Sequence, residues 1–211
     1  MTGAITKLKL PEKTVERLSS YRRTLLECLK LGKQQIYSYE LAGMHSITAE
    51  QVRRDIMFIG YSNARKKGYN VPDLIEYIGT VLDDPKGLNV AIIGMGNLGS
   101  AIARYFVGKR PHLNIVAAFD IDASKTAKKI SGIPCYLISE LNTKVKELNI
   151  AIALLTVPVE HANNTAKLLV NAGIKGILNF TSVPLNVTPK VHIEEYDMIT
   201  SIEKVAYYVR S

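Results

Sequence analysis

Cysteine is scarce in this chain. The 211 residues hold two, Cys28 and Cys135, far apart and with neither a CxxC spacing nor a histidine neighbour, so a disulfide framework or a zinc site has no basis. Both read as small buried hydrophobes. Long hydrophobic runs are missing too: no apolar stretch approaches the roughly 18 residues a membrane-spanning helix needs. The N-terminus, MTGAITKLKLPEKTV, has neither the apolar core nor the small-residue cleavage site of a secretory signal. The expectation is a cytoplasmic chain with no membrane partner. Internal repeats and low-complexity tracts are also lacking. The hydrophobic share of 47% is enough to bury a core in one large or two small domains.

What is plentiful is positive charge. The net charge of +8 suggests a polyanion partner without requiring one. Residues 1–82 carry 13 Lys and Arg against 8 Asp and Glu, and Arg53, Arg54, Arg65, Lys66 and Lys67 fall within fifteen residues with Asp55 alone opposing them. Such a cluster is either a solvated face or a phosphate-binding footprint.

The chain reads in two halves. From Pro11 to Leu82 every periodic segment has helical spacing, whereas from Leu88 onward short β-branched runs alternate with helical ones, the pattern of a parallel sheet with crossover helices. The turn-forming DDPKG, residues 83–87, separates them as a linker. In the first half Pro11 opens a helix that carries Val15, Leu18, Leu25, Leu26 and Leu29 and stops at Gly32. Ser38 then caps a short helix with Leu41 and Ala42. Thr48 and Gln51 form a T-x-x-Q capping box, stapled by Ile47 and Val52, that opens another. Two short helices joined by a tight turn, with Ser46 where the turn often has glycine, make a helix-turn-helix pattern or an ordinary helical hairpin. A recognition helix needs groups that reach base edges and phosphates: Gln51 suits adenine, and Arg53 or Arg54 suits guanine or the backbone. The loop YSNARKKGYNV, with Arg65, Lys66, Lys67, Gly68 and Tyr69, suits a wing along a phosphate backbone. With Ser38 and Thr48 at the two helix starts, these residues form the candidate DNA-facing set.

In the second half, the run LNVAII leads into Gly94-Met95-Gly96-Asn97-Leu98-Gly99 and then a helix. In this G-x-G-x-x-G, Gly94 allows the tight turn, Gly96 lets a pyrophosphate approach the backbone, and Gly99 lets helix pack close to strand. A second strand, NIVAAFD, ends at Asp120, 21 residues past Gly99, where a carboxylate can accept from an adenosine ribose. That carboxylate would repel a 2′-phosphate and no Arg follows it, so NAD(H) is favoured over NADP(H). Strands at IPCYLI, IAIALLTVP and GILNFTSVPL complete a doubly wound sheet. They bring Thr156, Val157, Pro158, Asn179 and Phe180 to its carboxyl edge as candidates for the nicotinamide half, Phe180 having core packing as its plain alternative.

A nicotinamide enzyme also needs an acid or base beside its substrate. His161 and His192 are isolated, no Tyr-x-x-x-Lys pair occurs, and the tail is too short for a substrate domain. The tail ends in an apolar helix whose face, Ile199, Ile202, Val205, Ala206 and Val209, suits a dimer contact.

Together QVRRDIMFIG, ARKKGYNV, GMGNLGSAIA, AAFDID, ALLTVP, GIKGILNFTSVPL and EYDM…YYV resemble the Rex family of redox-sensing repressors, from about Pro11 to Val209. The resemblance implies a homodimer and an α/β architecture: a winged-helix DNA-binding domain over 1–82, then a Rossmann-type doubly wound domain over 88–211, with a domain-swapped helix at about 198–209. It further implies an A·T-rich palindromic operator, repression relieved when NADH displaces NAD⁺, and no enzymatic activity. Position by position, the helix-turn-helix falls on about Tyr21 to Gly60, the NAD motif on Gly94 to Gly99 with Asp120, and the family's switch pair on Arg23 and Asp197. The chain departs from the family pattern at Asn63 and Lys66 in the wing, in FTSV at Phe180 to Val183, and at Met198, where an apolar side chain packs near the nicotinamide. The residues by themselves also leave open a small NAD-dependent dehydrogenase and a CoA-binding Rossmann protein.

Overall fold

The computed structural model describes residues 10–62, 68–106, 112–126, 129–188 and 190–210. They divide into two compact units, Met1–Pro85 and Lys86–Ser211, with the seam inside DDPKG.

The first unit runs α1 (Glu12–Lys30), β1 (Gln35–Ile36), α2 (Ser38–Met44), α3 (Ala49–Phe58), β2 (Tyr69–Asn70) and α4 (Val71–Leu82). Pro11 stands just before α1 in an extended conformation rather than in its first turn. The buried ridge of α1 is Thr14, Leu18, Tyr21, Leu25 and Cys28, stepping by four and three residues. Val15 and Leu26 lie about 100° off that ridge and are 40% and 37% exposed, so the inward stripe differs from the one the leucines alone suggest. Ser38 is the first residue of α2 and not its cap; the Tyr37 N–H donates to Glu40 Oε2 at 2.8 Å instead. Thr48 does cap α3, its Oγ1 accepting from the Gln51 N–H at 3.1 Å. The reciprocal arm of the box is not made. Between the two helices Ser46 has φ 54°, so a serine takes the left-handed turn position. A two-residue antiparallel ribbon pairs Gln35 with Asn70 and Ile36 with Tyr69, which the helical periodicity of this half did not suggest.

The second unit contains β3 (Leu88–Ile93), α5 (Asn97–Phe106), β4 (Leu113–Asp120), α6 (Ala123–Thr126), β5 (Lys129–Ile130), β6 (Ile133–Leu137), α7 (Leu141–Glu147), β7 (Ile150–Leu155), α8 (Val159–Ala172), β8 (Gly176–Asn179), β9 (His192–Glu195) and α9 (Met198–Val209). The sheet order is β5-β6-β4-β3-β7-β8-β9, parallel except for the β5/β6 pair. Alternation along β3 splits the core: Ala91 and Ile93 pack with α7 and α8, while Val90 and Ile92 face the layer that holds Ile102 and Ala103 of α5. β9, charged and short, extends the edge beyond the strands expected from the sequence. Cys28 and Cys135 are both free and buried.

A polar centre sits inside the first unit. Asp55 on α3 is 2% exposed and receives Arg17 Nε at 2.6 Å, Arg17 Nη2 at 2.7 Å, Tyr21 Oη at 2.8 Å and Gln51 Nε2 at 3.0 Å. It therefore opposes Arg17 of α1, not the cationic cluster beside it in sequence. Burial pushes its carboxyl upward, but the donors outweigh this and hold it below the ordinary carboxylate range. Because the folded value lies below the unfolded one, the resulting stability is fully present above about pH 4 and is lost as pH falls through the folded value. Asp55→Asn should destabilise the first unit by about 3 kcal/mol at pH 7, as removal of one partner from a buried pair does. The deficit should narrow on acidification, which urea melts at pH 7 and pH 3.5 would measure.

Candidate functional site

The carboxyl edge of the parallel sheet forms a cleft of about 630 Å³, well within the range of nucleotide and cofactor pockets. Its centre is the loop that follows β3. Gly94 has φ +96°, its N–H donates to the Phe119 carbonyl at 2.8 Å, and its carbonyl accepts from Thr156 Oγ1 at 2.7 Å. Gly99, in the first turn of α5, packs directly on that carbonyl, and a Cβ there would collide with the Gly94 oxygen. A Cβ at Gly96, in contrast, would meet nothing within 4 Å. The loop is thus closed on its strand side and open at Gly96, beside the N-terminus of α5, an arrangement that fits a diphosphate group.

Asp120 ends β4 beside this loop. It is 7% exposed; Oδ2 accepts from the Met95 N–H at 2.7 Å and from Lys125 Nζ at 2.9 Å, and Oδ1 accepts from the Asp122 N–H at 3.0 Å. Burial raises its carboxyl, but the amides of Asp122 and Met95 and the Lys125 ammonium together bring it below the usual range. Asp122 is also held low, chiefly by Ser124. At neutral pH this end of the cleft therefore carries two carboxylates and one ammonium.

Of the residues singled out from sequence, Gly94, Gly96, Asp120, Thr156, Val157 and Pro158 line the cleft. Met95 is buried at 3% exposure, Leu98 packs against the same core, and Asn97 starts α5. Asn179 does not face the cleft. It is fully buried, its Nδ2 donates to the Val183 carbonyl at 2.9 Å and to Glu195 Oε2, and its Oδ1 accepts from the Thr181 N–H and hydroxyl, tying β8 to β9. Phe180 packs against Tyr196 with ring centroids 5.3 Å apart, and Met198 is 52% exposed at the start of α9. Lys125, Asn164, Thr165 and Leu168 also line the cleft beyond the residues singled out from sequence, as does His161, which the sequence leaves as an isolated histidine. The signal was available: 161, 164, 165 and 168 share one helical face directly after the strand end LLTVP.

The basic helix of the first unit presents Arg53 and Arg54 to solvent, while Gln51 is partly buried and tied back to Asp55. Arg53 Nη1 donates to Ser38 Oγ at 3.0 Å, joining the middle of α3 to the first residue of α2. Arg54 pairs with Glu50 at 3.1 Å, both side chains more than half exposed, a contact worth only about 0.3 kcal/mol that a phosphate can displace. Tyr37 and Tyr39 stack beside Ser38 with centroids 5.4 Å apart, an exposed aromatic pair not singled out from sequence. Gly68 and Tyr69 lead into α4, whereas Arg65, Lys66 and Lys67 lie outside the described residues. Arg23 donates to Ser20 Oγ at 3.0 Å on the surface of α1. Asp197 caps α9, accepting from the Ile199 N–H at 2.8 Å, the Thr200 N–H at 3.3 Å and the Thr200 hydroxyl at 2.6 Å. No residue of α9 is buried. Among the described residues no helix is long and apolar enough to cross a membrane.

Comparison with known proteins covers both units. Residues 86–183 match the model of the CoA binding domain family, and residues 9–56 match that of putative DNA-binding protein N-termini. The redox-sensing transcriptional repressor Rex of Lactobacillus acidophilus is 35% identical over 205 residues, 97% of each chain. Its namesake in Listeria welshimeri is 34% identical over 203 residues, 96% of this chain and 94% of that one. Among solved structures, RSP, described as a Rex-family repressor, superposes with a TM-score of 0.86 at 33% identity over 95% of both chains. RSP in complex with β-NAD⁺ and operator DNA gives 0.87 at 33% identity over 95% of this chain and 92% of that one, and RSP with β-NADH gives 0.85 at 32% over 95% and 94%.

The two open and closed glycines separate experimentally. Gly99→Ala should cost about 2 kcal/mol or more through overpacking against the Gly94 carbonyl, while Gly96→Ala should leave stability nearly unchanged. Thermal melts followed by circular dichroism test the contrast.

Proposed function

This chain belongs to the Rex family of redox-sensing transcriptional repressors, and on that premise we propose that it binds operator DNA through its first unit and reports the NADH to NAD⁺ balance through its second. The observation that carries the reading is full-length similarity: one order of DNA-binding and nucleotide-binding halves, shared with a family member solved with operator DNA and with both redox forms of the dinucleotide.

Gly96 and the N-terminus of α5 receive the pyrophosphate, and Asp120 accepts from the adenosine ribose. Thr156, Val157 and Pro158 line the path toward the nicotinamide, with Phe180 and Met198 on its far side. The nicotinamide ring supplies the redox difference, cationic when oxidised and neutral when reduced. Arg53 and Arg54 contact DNA, the phosphate contacts giving affinity and the base contacts register. Lys66 and its neighbours extend the footprint as a wing. Arg23 and Asp197 form the two-state element that one arrangement makes and the other breaks. The exposed apolar face of α9 is covered by a second copy, giving a homodimer.

We read the protein as a sensor and not as a dehydrogenase, because the relatives that match it end to end are repressors. The family model that covers residues 86–183 favours CoA as a second ligand reading. A 3′-phosphorylated ribose at Asp120 would face Asp120 and Asp122 against Lys125 alone, a net repulsion that an unphosphorylated ribose avoids.

A gel shift with an A·T-rich palindrome should show binding that NADH releases and NAD⁺ does not; failure to bind with or without nucleotide would refute the reading. Gly96→Val should fold and bind DNA but no longer respond to NADH. Arg53→Ala should weaken operator binding and lower the salt dependence by about one unit in the log–log slope.

A further inference from the structure

The α8 wall of the cleft is polar where an apolar one would suffice. His161, Asn164, Thr165 and Leu168 fall on one face of α8 at steps of three and four residues, and all four line the same cleft as Asp120, Ile121 and Lys125. His161 and Asn164 are exposed, and among the described residues neither side chain has a hydrogen-bond partner. Their neighbours are engaged: Asn163, one position away, accepts from the Asn186 N–H at 2.8 Å. With the diphosphate at Gly96 and the ribose at Asp120, the base of an adenosine lies further along the cleft, between the end of β4 and α8.

We propose that Asn164 reads the adenine base, its amide oxygen accepting from the 6-amino group and its Nδ2 donating to N7 of the ring. His161, one turn nearer the strand end, bounds the polar edge, and Leu168, one turn beyond, packs on the apolar face of the ring. This assignment rests on the dinucleotide reading above. A carboxamide pairs with adenine in two bonds of opposite sense. Hypoxanthine offers an oxygen in place of the amino group, so one of the two bonds becomes an opposition of acceptors.

The test is a calorimetric titration of the full chain with NADH and with its hypoxanthine analogue. NADH should bind about tenfold more tightly. Asn164→Ala, a change at an exposed helix position that favours folding, should bring the ratio of the two affinities to near one by weakening NADH. Equal affinities in the unaltered protein, or an unchanged ratio in Asn164→Ala, would overturn the assignment while leaving the dinucleotide reading in place. Binding of neither compound would overturn both.

Discussion

The carboxylate of Asp120 is held from three directions, by the amide of Met95, the amide of Asp122 and the ammonium of Lys125. Each bond ties a different piece of chain to the end of β4. Met95 brings the loop after β3 against the strand, which sets Gly94 under Thr156 and leaves Gly96 open. Asp122 and Lys125 fold the chain back into α6. A buried carboxylate without donors would be costly, so the loops arrange themselves around it. An ionised carboxylate offers about four acceptor places, and three are used. The site is therefore preorganised, with one acceptor place left over.

The first unit solves its own problem in the same way. Asp55 collects Arg17, Tyr21 and Gln51, so α3 is fastened to α1 by polar bonds beneath its exposed cations. The two kinds of charge have different work. Asp55 and Arg17 fix the orientation of the helix, while Arg53 and Arg54, lightly held by Ser38 and Glu50, remain available to a polyanion. Gln51 belongs to the first group as the structure stands, and a base contact from it would have to give up its bond to Asp55.

What could be read from the sequence was what chemistry makes local. G-x-G-x-x-G, the acid after the second strand and the Thr48 cap depend on neighbours within a turn or a strand, and each sits where its spacing suggests. Asp55 was opaque because its partner Arg17 lies 38 residues away and because QVRRD reads as a charged surface. The ribbon of β1 and β2 is too short for a period of two to show, and HIEE in β9 has the composition of a loop. Asn179 misled for the opposite reason: a polar residue at a strand end suits a ligand, but here its donors and acceptors are spent on Thr181, Val183 and Glu195. His161 and Asn164 share a helical face that spacing alone reveals, but a histidine or asparagine without an evident partner reads as surface.

Asp197 has a double allegiance. Its carboxylate already holds the first turn of α9 through Ile199 and Thr200, and helix ends without such a cap fray. A cation that draws this side chain away loosens the terminus; one that shares it tightens the same turn. The order of the first turn of the last helix and the state of any ion pair at Asp197 are thus coupled through one carboxylate.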